Sequence, residues 1–113
     1  MNELVKHLSE RNPIMVGRPV RNIRDLRHSI DSAYVHVRFK NTGTEIGVRL
    51  DQRKCRLENG DFVSGKGKVH LEGALMLDFD TVRCVADIDL ESMEGTGRLE
   101  PIDQAEFTAI VHN

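Results

Sequence analysis

Residues 68–91, KVHLEGALMLDFDTVRCVADIDLE, decide the fold. Val69, Leu71, Gly73, Leu75, Leu77 and Phe79 alternate with Lys68, His70, Glu72, Ala74, Met76 and Asp78, and Val82, Cys84, Ala86, Ile88 and Leu90 continue the apolar series. A period of two puts every second side chain on the same face of a strand, so this stretch reads as two long antiparallel strands, each with one apolar face. A turn at Asp80-Thr81 would set Phe79 against Val82, Leu77 against Cys84, Leu75 against Ala86 and Leu71 against Leu90, with Gly73 opposite Ile88 allowing a bend. On the other face the same turn would bring Asp78 to Arg83 and His70 to Glu91, and Glu72 close to Asp89. A one-residue slip would turn every apolar side chain to solvent, so the register is expected to be strongly specified.

The same alternation runs upstream. Val35, Val37 and Phe39 share one face of residues 34–40, and Ile46, Val48 and Leu50 share one face of residues 45–50. The Asn41-Thr42-Gly43-Thr44 link suits a hairpin that pairs Phe39 with Ile46, Val37 with Val48, Val35 with Leu50 and Lys40 with Glu45. Short strands are expected at Cys55–Glu58 and, after an Asn59-Gly60 turn, at Phe62-Val63. Met93–Pro101, with Gly95 and Gly97, reads as a loop, and Ala105, Phe107, Ala109 and Val111 as a final strand.

Helical spacing is confined to the N-terminal part. Leu4, Val5 and Leu8 form an apolar stripe in Asn2–Arg11, stopped by Asn12-Pro13, and Ile14–Val20 connects to the next element with a short strand or none. Ile23, Leu26 and Ile30 recur at intervals of three and four in Arg21–Ala33, the pattern of an amphipathic helix. The expected architecture is a β-rich α+β domain: an antiparallel meander of six or seven strands, as a bent sheet or partial barrel, with one or two N-terminal helices. The 113 residues fit a single domain spanning 1–113.

Composition sets the outer bounds. With 39% apolar and 30% charged residues the chain is an ordinary globular sequence. Its longest aliphatic run is Ala74–Leu77, and Glu3, Lys6 and Glu10 interrupt the N-terminal region, so neither a membrane span nor a secretory signal is expected. Cys55 and Cys84 lack metal-site spacing and suit a reducing, cytoplasmic setting.

The net charge of −2 conceals an uneven distribution. Residues 1–56 hold twelve Lys or Arg and six Asp or Glu, a balance of +6, whereas residues 57–113 hold four and twelve, a balance of −8. Such a split bears on partners: it favours self-association or docking on a charged macromolecule, unless the halves neutralise each other in the fold.

Arg18, Arg21, Arg24 and Arg27, with His28, lie mostly opposite the apolar stripe of the second helix and form a candidate basic contact, since arginine forks suit carboxylates and phosphates. Asp87, Asp89 and Glu91, with Glu72 across the hairpin, form a candidate acidic contact. Ordinary solvation would produce both faces as well. A flat strand surface does not converge the six or more oxygens that calcium takes, so no metal or cofactor is expected. The chain shows no G-x-S-x-G, H-E-x-x-H or phosphate loop, and inward Cys84 and outward His70 point to opposite sides of one hairpin, so no catalytic set is assigned.

The sequence reads as a non-catalytic module that binds another macromolecule, a protein or a second copy of itself, through complementary charge. A homodimer would extend the sheet along the edge of the final strand. One alternative is a small-ligand binder or small enzyme with a pocket between sheet and helices. Another is a nucleic-acid binder using the basic N-terminal half, which the absence of Trp and the single Tyr disfavour because single strands need stacking platforms.

Overall fold

The computed structural model describes residues 3–16 and 22–112. In chain order the elements are α1 (Glu3–His7), β1 (Asn12–Val16), α2 (Ile23–Asp31), β2 (Tyr34–Phe39), β3 (Thr44–Leu50), β4 (Gly60–Asp61), β5 (Lys66–Leu77), β6 (Asp80–Asp89), β7 (Glu94–Pro101) and α3 (Gln104–Val111). The strands pair in the order β3-β2-β1-β7-β6-β5-β4, and a further β3–β5 contact closes six of them into an antiparallel barrel with β4 as an extra strand. The α+β, strand-rich architecture agrees with the sequence reading. No described helix is long and apolar enough to cross a membrane.

The inward faces follow the period of two. Val35, Val37, Phe39, Ile46, Val48 and Leu50 from β2 and β3 meet Val69, Leu71, Leu75, Val82, Cys84, Ala86 and Ile88 from β5 and β6 in one buried cluster. Each fully buried aliphatic or aromatic side chain contributes about 1.5–3 kcal/mol relative to exposure. Val5 and Leu8 join this core from α1 and the residue just after it, and Leu8 O accepts a hydrogen bond from Leu99 N. Leu26 and Ile30 join it from α2, whose N-cap Asn22 accepts from Asp25 N.

Closure depends on one glycine. The β3–β5 register consists of Arg49↔Ala74 and Leu50↔Gly73, and a Cβ at residue 73 would fall 2.3 Å from Arg49 O. Only a bare Cα lets the first and last strands of the meander meet.

The hairpin registers differ from those expected by even numbers of residues. In β2–β3, Val37 faces Ile46, Val35 faces Val48 and Arg38 faces Glu45, because Gly43, at φ +71°, donates to Phe39 O and closes the loop one residue early. In β5–β6 the turn is Asp78-Phe79 rather than Asp80-Thr81, giving Leu75↔Val82, Gly73↔Cys84, Leu71↔Ala86 and His70↔Asp87. Thr81 explains the shift: its carbonyl accepts from Ile102 N and its hydroxyl donates to Ile102 O, so residues 80–81 are held in strand β6 beside the start of the C-terminal segment. Even shifts keep the same strand side chains inside, which is why the core is as expected apart from Phe79, which the moved turn places in solvent, although the partners are not. The Asp78–Arg83 and His70–Glu91 pairings do not form, and Gly73 lies opposite Cys84 instead of Ile88.

Three segments differ in kind. Glu94–Pro101 is strand β7, not a loop: Gly95 and Gly97 permit close backbone approach, since a Cβ at residue 95 would lie 1.8 Å from Asp87 O. Gln104–Val111 is helix α3, not a strand. Asp103 caps it by accepting from Glu106 N at 2.7 Å, and Ile110 is its buried residue. Sheet extension along a final strand is therefore unavailable. Residues 55–58 contribute only the Arg56↔His70 bridge, and the chain turns after Gly60–Asp61, where the Asp61 carboxylate accepts from Val63 N and Ser64 N. Both N-terminal helices are shorter than expected, and β1 occupies Asn12–Val16.

Candidate protein-interaction surface

The β5–β6 turn carries two residues with left-handed backbone, Asp78 at φ +48° and Phe79 at φ +72°. Asp tolerates this conformation, but for a bulky aromatic it costs on the order of 1 kcal/mol or more. Phe79 nevertheless projects almost wholly into solvent, at 95% exposure, and Met76 beside it is 52% exposed. An aromatic side chain held out on a two-residue turn between the two longest strands is a candidate apolar contact, since aromatic residues are enriched at protein interfaces. Sequence reasoning missed it because the expected turn placed Phe79 inside against Val82.

On the adjoining barrel wall β3 and β5 share only their two-pair register, with Ala74 beside Arg49 and Met76 following Ala74 on the same outer face. Nearby on β2, Tyr34 is 43% exposed, packs its ring edge-to-face on His36 at 5.4 Å, and lies over Gly47, where a Cβ would come within 1.9 Å of its hydroxyl oxygen.

Further round the wall, polar side chains of β5 and β6 form a continuous ion-pair chain. Arg11 meets Asp87 at 2.7 Å, Asp87 meets His70 Nδ1 at 2.7 Å, and His70 Nε2 meets Glu72 at 2.7 Å. Glu72 continues to Arg83 at 3.2 Å, and Arg83 reaches Glu106 on α3 at 2.9 Å and Asp51 at 3.6 Å. Arg83 is buried, at 7% exposure, and its guanidinium fastens α3 to the barrel. Burial pushes the His70 imidazole down, but its bonds to Glu72 and Asp87 outweigh this and raise it above its ordinary value. Burial raises the Asp87 carboxyl, and the opposing bonds from His70 and Arg11 leave it lowered. Burial alone pushes the Cys84 thiol up to about 12, which makes it an inert core residue.

The residues singled out from the sequence fall in several environments. Arg24, Arg27 and His28 are exposed on α2, where Arg27 pairs with Asp31 at 3.2 Å and covers the Phe62 ring at 4.8 Å. Arg18 and Arg21 lie outside the described residues. Glu72 and Asp87 belong to the ion-pair chain, and Glu72 sits opposite Val85 rather than near Asp89. Asp89 lies opposite Lys68 and accepts from Glu91 N, and Glu91 is exposed on the turn after β6. The Arg11–Asp87 and Lys40–Glu94 pairs join the basic and acidic halves of the chain, so the charge imbalance is partly neutralised within the fold.

Residues 5–111 match the family model described as core binding factor beta subunit. None of the curated proteins matches the chain. The family is one of non-catalytic protein-interaction subunits, so a protein-binding module is the coarse function of this fold.

Proposed function

Because the chain belongs to the core binding factor beta subunit family, we propose that it works as the non-catalytic half of a heterodimer with a transcription-factor subunit, anchored by Phe79. The observation that carries this reading is the Phe79 side chain, 95% exposed on a turn whose backbone is strained to hold it out. Burying a Phe and the adjoining Met76 in a partner's pocket would supply the apolar centre of an interface, and the Tyr34–His36 pair lies on the same outer wall as a polar-tipped neighbour.

Charge adds to this through steering. The basic residues Arg24, Arg27 and His28, with Arg18 and Arg21 before them, and the acidic residues Asp89 and Glu91, beyond the paired Glu72 and Asp87, act on the rate of encounter with a complementary partner. Their contribution should fall as salt rises, whereas that of Phe79 should persist.

Titration calorimetry of the chain against the transcription-factor subunit, with Phe79→Ser and Met76→Ser variants, tests the reading. Loss of at least tenfold in affinity for Phe79→Ser, with an unchanged melting profile, is the expected result. Unaltered affinity for both variants overturns it, as does a homodimer that excludes the partner.

A further inference from the structure

The sulfur atoms of the chain are unevenly protected. Among the described residues they belong to Met15, Met76, Met93, Cys55 and Cys84, and of these only Met76 is exposed, at 52%. Met93 and Cys84 sit in the core, while Met15 on β1 and Cys55 are half-buried. Burial pushes the Cys84 thiol up to about 12 and raises the Cys55 thiol as well, so both stay protonated near neutrality and react poorly with an oxidant. Cys55 Sγ also donates to Glu72 O at 3.6 Å.

Met76 stands where a change of polarity reaches a partner and not the core. It lies opposite Thr81 in the β5–β6 ladder, one step before the closing pair Leu77↔Asp80, at the base of the turn that carries Phe79. Its strand neighbours Leu75 and Leu77 belong to the buried cluster or pack against it, so alternation puts the Met76 side chain on the outer wall. An oxygen added there leaves the packing of the barrel as it is. It does change the surface offered to a partner: a thioether is apolar, whereas a sulfoxide is a polar acceptor that is costly to bury without a donor.

We propose that Met76 is a reversible oxidation site through which a peroxide weakens docking at the Phe79 surface, a role that rests on the heterodimer reading above. In the step, the Met76 sulfur donates an electron pair to one oxygen of hydrogen peroxide. The S–O bond forms as the O–O bond breaks, and a proton passes from the transferred oxygen to the departing one, which leaves as water. The sulfur is oxidised, the peroxide is reduced, and no further reactant is needed. The product carries a polar, chiral group beside Phe79, and methionine sulfoxide reductases return it to the thioether.

Limited treatment of the full chain with hydrogen peroxide, ended by catalase and followed by mass mapping of proteolytic peptides, tests the site, and titration calorimetry against the transcription-factor subunit tests its effect. The expected result is an oxygen gained on Met76 before Met15 or Met93, an unchanged melting profile, and affinity lowered about fivefold or more. Methionine sulfoxide reductases A and B together should restore it. Met76→Leu, compared with its own untreated affinity, should not respond to peroxide, and Met76→Gln should bind as weakly as the oxidised chain. Earlier oxidation of Met15 or Met93, full affinity with Met76 oxidised, or an equal loss in peroxide-treated Met76→Leu would each overturn the oxidation site and leave the docking role standing. If untreated Phe79→Ser and Met76→Ser bind as tightly as the parent, the docking role fails and the oxidation site falls with it.

Discussion

His70 Nδ1 lies 2.7 Å from Asp87 Oδ1, directly across the β5–β6 ladder, while its Nε2 lies 2.7 Å from Glu72 on its own strand. One imidazole therefore bridges two carboxylates, and both of its nitrogens act as donors when it is protonated. With its pKa raised above the ordinary 6.5, its contribution to stability is fully present below that value and is lost as pH rises through the folded-state value. Asp87, lowered from 3.8, behaves in the opposite sense: its contribution is present above 3.8 and is lost as pH falls through the lower folded-state value. Urea unfolding followed from pH 4 to pH 9 should show stability declining on the alkaline side of 6.5, and His70→Gln should remove that decline. A decline of equal size in the variant would place the effect elsewhere.

Arg83 is the hub to which Glu72, Asp51 and Glu106 are fastened. Arg83→Met would take the nearby cation from the buried Asp51 Oδ2, and from Glu72 one of its two partners, leaving only Arg53 and His70 to offset them, so a loss of about 2–4 kcal/mol is expected. Glu106→Gln, at the exposed end of the same set, should cost less than about 1 kcal/mol. Chemical denaturation of the two variants side by side distinguishes a buried hub from a set of equivalent surface pairs.

The turn holding Phe79 trades stability against display. An Asp-Gly pair is favoured where both turn residues have positive φ, so Phe79→Gly should raise folding stability by about 1 kcal/mol while weakening partner binding. Thermal unfolding and calorimetry on the same variant check the two opposite signs. A variant that is neither stabilised nor weakened in binding would argue against strain maintained for contact.

Gly73→Ala places a methyl group 2.3 Å from Arg49 O and 2.6 Å from Val48 Cγ1. The barrel can relieve this only by parting β3 from β5, with an expected loss of about 2 kcal/mol or more. Amide exchange should localise the opening to Arg49–Leu50 and Gly73–Ala74, leaving β6–β7 protected.

Which residues face inward was settled locally. In residues 34–50 and 69–90 an alternating chain must bury its apolar side, and that parity survives an even shift of register, so the core composed of Val35, Val37, Phe39, Val69, Leu71 and Cys84 was legible without partners. The helix at Ile23–Asp31 was equally legible from its apolar spacing. Tertiary contacts decided the rest. Ile102 holds Thr81 in β6, which moves the turn and expels Phe79 from the core to the surface. Gly95 and Gly97, punctuation in a local reading, are the flat places on which β7 packs against its neighbours. Ala105–Val111 alternates as a strand would, yet the Asp103 cap and the Arg83–Glu106 bond make it a helix on the barrel wall. Period and polarity act within a few residues and determine inside from outside. Register, closure and the exposed anchor depend on contacts between residues distant in the chain, and those exist only once the barrel has formed.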